Sequence, residues 1–288
     1  MTTQSFNDPS RTVRSRFPAF LAGAAQQQYL QAEEGLKAAA EEGYTHWYID
    51  GSLGGERPRD FSNARIAALR KDAQSQGLSP IYHGNFKVPI GSDVSEMRDA
   101  AACYVRQEID LCAELGAPLI LHGGGIVEPR AVKPVKRMCL DGLVDVLDKL
   151  TVYAEAKGVE LWLENLSNYT KNHPFYYIFT KDEEFDYVLS RVGGVSFILD
   201  VSHAYINNGD PTETFKKFRD RIVAMSFSDN MGIVDSHLPL GKGSLDYRTL
   251  IDEISSASWR GIISFETRGG TLLDSLDHLA VLAADKPA

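Results

Sequence analysis

The sequence predicts an α/β protein folded as a single (β/α)8 TIM barrel, on three observations. Short apolar, β-branched or aromatic runs alternate with longer segments of helical periodicity, the pattern of repeated βα units. Eight such pairs fit within 288 residues, a length that an α/β barrel fills as one domain. Gly43, Gly77, Gly116 and Gly158 stand where helices should end, and a new strand follows each within a residue or two, as short αβ turns require. A doubly wound open sheet is disfavoured, because it seldom needs eight even repeats and no G-x-G-x-x-G follows the first strand.

Taken in order, residues 1–16 are polar and read as a flexible N-terminal segment of a domain spanning 1–288. The first strand is placed at Phe17–Ala22 and its helix at Gln26–Glu42. Thr45–Asp50, with Trp47, Tyr48 and Ile49 at its centre, is the second strand, followed by a helix over Asp60–Gln76. Ser79–His83 and a helix over Val94–Leu115 form the third unit, and Pro118–His122 with Lys136–Lys157 the fourth. The fifth to eighth strands fall at Val159–Glu164, Val195–Asp200, Ile222–Ser228 and Gly261–Glu266. Their helices are Lys181–Arg191, Asp210–Arg219, Ser244–Ser256 and Leu272–Ala284. Trp47 and Trp162 lie inside strands and read as core. His122-Gly-Gly-Gly125 reads as a tight turn.

Composition narrows the function classes. At 43% hydrophobic and 24% charged residues the chain is an ordinary globular one. It has no apolar run long enough to span a membrane and no secretory leader at its N-terminus, so a cytoplasmic protein is expected. Cys103, Cys112 and Cys139 make no disulfide framework or close metal-binding spacing and read as packing residues. A net charge of −9 argues against unspecific binding to polyanions.

Active sites of such barrels lie at the C-terminal ends of the strands, and there the sequence is unusual. The third strand ends in His83, the fourth in His122, the fifth in Glu164 and the sixth in Asp200, with His203 one turn later. Asp229, Asp235 and His237 follow the seventh strand, and Glu266 ends the eighth. One polar residue closing an apolar strand means little, since a single histidine there is more often a satisfied core or surface group than a ligand. Six successive strands ending this way point to metal binding. Mixed imidazole and carboxylate ligands suit Mn²⁺ or Zn²⁺, and Fe²⁺ and Co²⁺ also accept them. Without a cation, converging carboxylates would have to protonate.

Leu163-Glu164-Asn165, Leu199-Asp200-Val201-Ser202-His203-Ala204, and Ser228-Asp229-Asn230 through Asp235-Ser236-His237-Leu-Pro-Leu-Gly241-Lys-Gly243 resemble the xylose isomerase-like TIM-barrel superfamily. That group includes sugar phosphate isomerases/epimerases, inosose dehydratases and endonuclease IV-type AP endonucleases. The likeness runs from about His83 to Glu266. It implies that Glu164, Asp200 and Glu266 hold a central metal, with His203 beside it touching the substrate. In the AP endonuclease branch it implies that His83 and His122 join Glu164 around a second ion, and that His203, Asp235 and His237 hold a third. One position departs: the family pattern puts a histidine three residues before Asp229, and this chain has Ser226 there.

The first functional expectation is therefore a metal-dependent isomerase or epimerase of a sugar, cyclitol or related hydroxy-ketone. Glu164 and Glu266 exchange a proton next to a polarised carbonyl, and His203, Arg268 and Asp229 contact the substrate. The alternative is a polynuclear phosphodiester hydrolase, favoured by His83, His122, Asp235 and His237. Against it, no basic cluster with interleaved aromatics lines the mouth, so nucleic acid is an unfavoured partner. Lys133 to Arg137 is more simply the solvated start of a helix. A metal-free barrel serving as a binding subunit is the third reading, motivated by Ser226 alone. The aromatic-rich segment Asn168 to Phe179 reads equally as a lid over the substrate or as a contact in a homo-oligomer.

Overall fold

A computed structural model of the chain describes residues 22–25, 31–128, 132–168 and 176–284. Eight parallel strands form a closed barrel: β1 (Ala22–Ala25), β2 (His46–Asp50), β3 (Ser79–His83), β4 (Leu119–His122), β5 (Leu161–Glu164), β6 (Val195–Asp200), β7 (Ile222–Phe227) and β8 (Ile262–Phe265). Each strand pairs with its neighbour in sequence, and β8 returns to β1 through the register Ala22↔Ile262 to Ala25↔Phe265. Around the barrel run α1 (Ala32–Glu42), α2 (Asn63–Gln76), α3 (Ser95–Leu115), α4 (Val132–Lys157), α5 (Asp182–Leu189), α6 (Val201–Asn208), α7 (Pro211–Phe218), α8 (Tyr247–Ser256) and α9 (Leu272–Ala284). No helix of the described residues is long and apolar enough to cross a membrane.

Strand side chains alternate between two faces, and here the two faces feed two separate cores. Residues such as Trp47, Ile49, Leu119, Leu121, Leu163, Phe197, Phe227 and Phe265 belong to the large core that also takes in the helices. The alternate residues Tyr48, Ile81, Ile120, Trp162, Ile198 and Ala224 form a small cluster that fills the barrel. The next inward position on each of those strands is Asp50, His83, His122, Glu164, Asp200 and Ser226. The apolar plug thus forms the floor on which the polar residues stand.

Local signals fix the element ends. Ser62 caps α2, its hydroxyl accepting the Arg65 N–H. Gly77 ends the helix at φ 68°, a left-handed conformation in which a side chain would be strained. Gly124, at φ 62°, lies so close to the preceding loop that an added Cβ would come within 2.2 Å of the Val88 carbonyl oxygen. The glycine triplet after β4 therefore lets two active-face loops pack together. Pro134 falls in the first turn of α4, where its missing N–H breaks no intrahelical bond, so the helix begins four residues earlier than its periodicity suggested.

Other departures have clear causes. The first strand is Ala22–Ala25 rather than Phe17–Ala22, because pairing with β8 and β2 sets its position and overrides the local apolar run. Residues 1–16, and those at 17–21 of that run, lie outside the described residues. Cys112 and Cys139 are buried as expected, but Cys103 is exposed, on the solvent side of α3. The short helix α6 and two short antiparallel strands, Ile126–Val127 and Tyr176–Tyr177, were not anticipated. Replacing Ile198, fully buried in the inner cluster, with Ala should cost roughly 2–5 kcal/mol through lost burial and a cavity, read as a lowered urea midpoint with an unchanged slope.

Candidate metal centre

Glu164 is the hub of the barrel mouth. It is 2% exposed, and its Oε2 lies 3.3 Å from His122 Nε2 and 3.6 Å from His83 Nε2. Its Oε1 accepts a hydrogen bond from Ser226 Oγ at 3.2 Å. Strand register explains the meeting, since His122 and Glu164 are direct partners across β4 and β5, and Asp200 and Ser226 are partners across β6 and β7. Two sets of three ligand atoms result, His83–His122–Glu164 and Glu164–Asp200–Glu266, each with all atoms within 4.8 Å of one another. Asn165 ties the ends of β5 and β6 together: its side-chain oxygen accepts the Asp200 N–H at 2.8 Å and its amide donates to the Asp200 carbonyl at 3.0 Å.

A second polar cluster adjoins the first. Asp200 caps α6 by accepting the His203 N–H, which sets His203 at the mouth. His203 Nδ1 donates to the Asn165 carbonyl at 2.7 Å and its Nε2 lies 3.2 Å from Asp235 Oδ2. His237 Nδ1 donates to the Glu266 carbonyl at 2.8 Å, and its Nε2 lies 2.7 Å from the same Asp235 oxygen. The left-handed backbone of His237, φ 48°, is uncommon for a residue with a side chain and turns the imidazole back toward Asp235.

Charge in this space is heavily perturbed. Burial pushes Glu266 up to about 8, with the Glu164 and Asp200 carboxylates adding to the effect. Burial likewise lifts Asp200 to about 7 despite the opposing His203. Burial would raise Glu164 too, but the two imidazoles beside it hold it well below the carboxylate range. Burial disfavours the charge on His83, yet Glu164 outweighs it and raises the ring to about 9, whereas His122 stays lowered by burial. His237, opposed by burial, is brought to about 8 by Asp235.

The residues fit a divalent cation. Glu164 Oε2 and Asp235 Oδ1 are buried without a hydrogen-bond donor, an arrangement that is costly unless a cation or proton meets the oxygen. Imidazole and carboxylate are also the donor types such ions take.

The centre opens into a cavity of about 420 Å³ lined by His83, His122, Glu164, His203, Asp235, His237, Glu266 and Arg268. Of the residues singled out from sequence, Asp200 lies just below this lining, in contact distance of Glu164 and Glu266. Asp229 is put to another use. It is buried outside the cavity, and its carboxylate accepts the backbone N–H groups of Asn230, Gly241, Gly243 and Leu245. That saturates it as the staple of the Leu-Pro-Leu-Gly-Lys-Gly loop. The lining also includes Asp50, Ser52, Leu53, Phe86, Lys87, Leu166 and Ser167, which sequence reasoning passed over, and Tyr177 of the aromatic segment read as a lid or an oligomer contact. Asp50 was within reach of the rule that found the others, because it closes β2 as His83 closes β3. Tyr177 is held in the wall by pairing with Ile126 and by Asn168, which accepts its N–H and donates to its carbonyl. Residues 169–175 of that aromatic segment lie outside the described residues.

Comparison with known proteins places the chain. A sequence profile for the xylose isomerase-like TIM barrel matches residues 36–283, and the chain belongs to that family. Fructoselysine 3-epimerase of Shigella flexneri is 24% identical over 256 residues, covering 83% of this chain and 86% of its own. Among solved structures, a D-tagatose 3-epimerase-like protein superposes with a TM-score of 0.77 at 19% identity, over 91% of this chain and 96% of that one. A family 2 AP endonuclease of Brucella melitensis gives 0.64 at 19% identity, over 92% and 99%. At these identities the solved structures establish the shared barrel.

Asp200 at about 7, Glu266 and His237 at about 8 and His83 at about 9 all exceed their unfolded values. Groups raised in the folded state stabilise it at low pH and lose that contribution as pH climbs through the folded value. The ion-free protein should therefore melt at progressively lower temperature between pH 7 and 9. Added Mn²⁺ or Zn²⁺, which displaces those protons, should raise the midpoint more at pH 8.5 than at pH 6.5. Scanning calorimetry with and without chelator measures both.

Proposed function

We propose that this protein is a metal-dependent epimerase or isomerase of a sugar or closely related hydroxy-ketone. The observation that carries the reading is the pair of ligand sets sharing Glu164, with Glu266 in the second set, at the floor of a cavity of small-molecule size. The sugar class is drawn from the fructoselysine 3-epimerase relative, and the family match is consistent with it.

A divalent ion held by Glu164, Asp200 and Glu266, or by Glu164 with His83 and His122, would supply Lewis-acid polarisation of a carbonyl beside a hydroxyl. The chain's own residues do the rest. Glu164 and Glu266 rise from strands three places apart in the ring, so they flank a substrate carbon: one removes its proton and the other returns a proton to the opposite side. His203, fixed through Nδ1 on a backbone carbonyl and paired through Nε2 with Asp235, lines the cavity, where a substrate hydroxyl can share or displace the Asp235 contact. Arg268 lines the cavity and gives a cationic rim for an electron-rich oxygen. Leu53, Phe86 and Leu166 are apolar wall that limits water at the reacting carbon. The donor types point to Mn²⁺ or Zn²⁺, with Fe²⁺ and Co²⁺ compatible. A sugar or cyclitol is the only partner the reading requires, and the whole chain acts as one barrel domain.

Phosphodiester hydrolysis draws on the same strand ends and on His203–Asp235–His237. Its weakness is the cavity, whose lining holds Lys87 and Arg268 as cations beside the carboxylates of Asp50, Glu164, Asp235 and Glu266. A phosphate backbone requires the reverse balance.

Incubating the ion-loaded protein with a panel of ketoses in D₂O should place deuterium on the carbon next to the carbonyl of at least one sugar. Glu266→Gln should lower that exchange by about 10²–10⁴-fold, the usual worth of a positioned acid–base group. Cleavage of abasic-site DNA with no exchange into any sugar would overturn the reading in favour of hydrolysis.

A further inference from the structure

We propose that Asp50 is the positioning residue of His83, holding its ring from behind so that Nε2 faces Glu164. The inference rests on reading His83–His122–Glu164 as an ion site. Asp50 and His83 close adjacent parallel strands as register partners, and both point inward, two residues beyond Tyr48 and Ile81 of the barrel plug. The nearest Asp50 oxygen, Oδ1, stands 3.9 Å from His83 Nδ1. That carboxylate is itself aimed by the local turn, since Oδ1 accepts the Ser52 N–H at 2.8 Å.

Two of the other imidazoles at the mouth show what is missing. His203 and His237 each present Nε2 to the polar cluster, and each has Nδ1 held by a backbone carbonyl. His83 Nδ1, like His122 Nδ1, is buried and has no hydrogen-bond partner; an ion on Nε2 would leave the ring proton on Nδ1, a donor that then needs an acceptor. Asp50 is the group placed to supply that acceptor, and an approach of about 1 Å between the two side chains brings 3.9 Å into hydrogen-bond range. A carboxylate behind a ligating histidine fixes the Nδ1–H tautomer and raises the basicity of Nε2, and losing such a partner typically costs about 10–100-fold in metal affinity. Asp50 also lines the cavity, so direct contact with substrate is the competing role, and the test must separate the two.

Asp50→Ala and Asp50→Asn would be compared with the unaltered protein in two substrate-free measurements. Zn²⁺ affinity is obtained by competition with a chromophoric chelator. The His83 Nδ1–H proton is followed in protein labelled with ¹⁵N-histidine, assigned by its loss in His83→Gln. Asp50→Ala should weaken the ion by about 10–100-fold and turn a slowly exchanging, downfield Nδ1–H into a fast-exchanging one. Asp50→Asn, which keeps an acceptor oxygen of the same reach, should restore most of the proton's protection and part of the affinity.

Unchanged affinity with an unchanged proton resonance in both variants would overturn the proposal. So would weakened binding with the resonance intact, because the effect would then be the charge of Asp50 rather than its hold on the ring. If the unaltered protein takes up no ion, it is the metal reading that fails. The response of the His83 proton to Asp50→Ala in the ion-free protein then decides the pairing by itself. Asp50→Asn, nearly isosteric, keeps the test available should Asp50→Ala not fold.

Discussion

The burial of one carboxylate, Glu164, is the constraint around which the mouth of this barrel is organised. An ionised carboxylate removed from water is tolerated only with charge or hydrogen bonds to replace the solvent. Glu164 is 2% exposed and has two further buried carboxylates, Asp200 and Glu266, within ligand distance. Its compensation comes from His83 and His122 on one side and the Ser226 hydroxyl on the other. The three carboxylates cannot all be charged unless positive charge enters among them, and the upward shift of Asp200 and Glu266 against the downward shift of Glu164 expresses that conflict. A cation shared between the two ligand sets resolves it, as a proton does in its absence. Stability, pH response and ligand affinity are therefore one property of this cluster.

Rigidity at the centre comes from backbone rather than from more charge. The side-chain alternation of parallel strands sets each ligand directly above an apolar plug residue, so ligand positions inherit the packing precision of the plug. Asn165 locks the ends of β5 and β6, and carbonyls of residues 165 and 266 orient His203 and His237. Asp229 and Asn230 spend their side chains on the loop that follows, so that Asp235 and His237 return to the mouth at fixed places. Acceptors fixed in this way cost no reorganisation when a ligand arrives.

Much of this was legible in the sequence because barrels make strand ends and active sites coincide. Ser79–His83 and Val195–Asp200 were read at their observed limits, and the strand-closing rule found His83, His122, Glu164, Asp200 and Glu266 without contacts. Loops obey no such period. Asp229 looked like a substrate ligand because it sits beside a strand end, and only the geometry of Gly241, Gly243 and Leu245 reveals the staple. Phe86 and Lys87 reach the cavity from a loop and Tyr177 from a two-residue strand, where direction depends on tertiary pairing. The first strand was misplaced because its small residues, Ala-Gly-Ala-Ala, carry little strand signal; its partners define it.

Ser226 stands where the family resemblance would put a histidine, and its hydroxyl is built into the Glu164 cluster. Its hydroxyl donates to Glu164 Oε1 and so occupies an oxygen on the β7 side with a neutral donor. Histidine there would supply a stronger ligand and a chargeable ring. The ligand set on that side, Glu164–Asp200–Glu266, is made of carboxylates, with His203 Nδ1 3.6 Å from Asp200 Oδ2. Among the described residues, the imidazole nitrogens paired with Glu164 Oε2 are those of His122 at 3.3 Å and His83 at 3.6 Å, on β4 and β3, and Asp50 lies behind His83. With no imidazole at β7, His83 and His122 carry the nitrogen side of the Glu164 cluster, which raises the value of whatever keeps the His83 ring turned toward Glu164. Ser226 on the seventh strand is in this way linked, through the single buried carboxylate of Glu164 and the His83 ring, to Asp50 on the second.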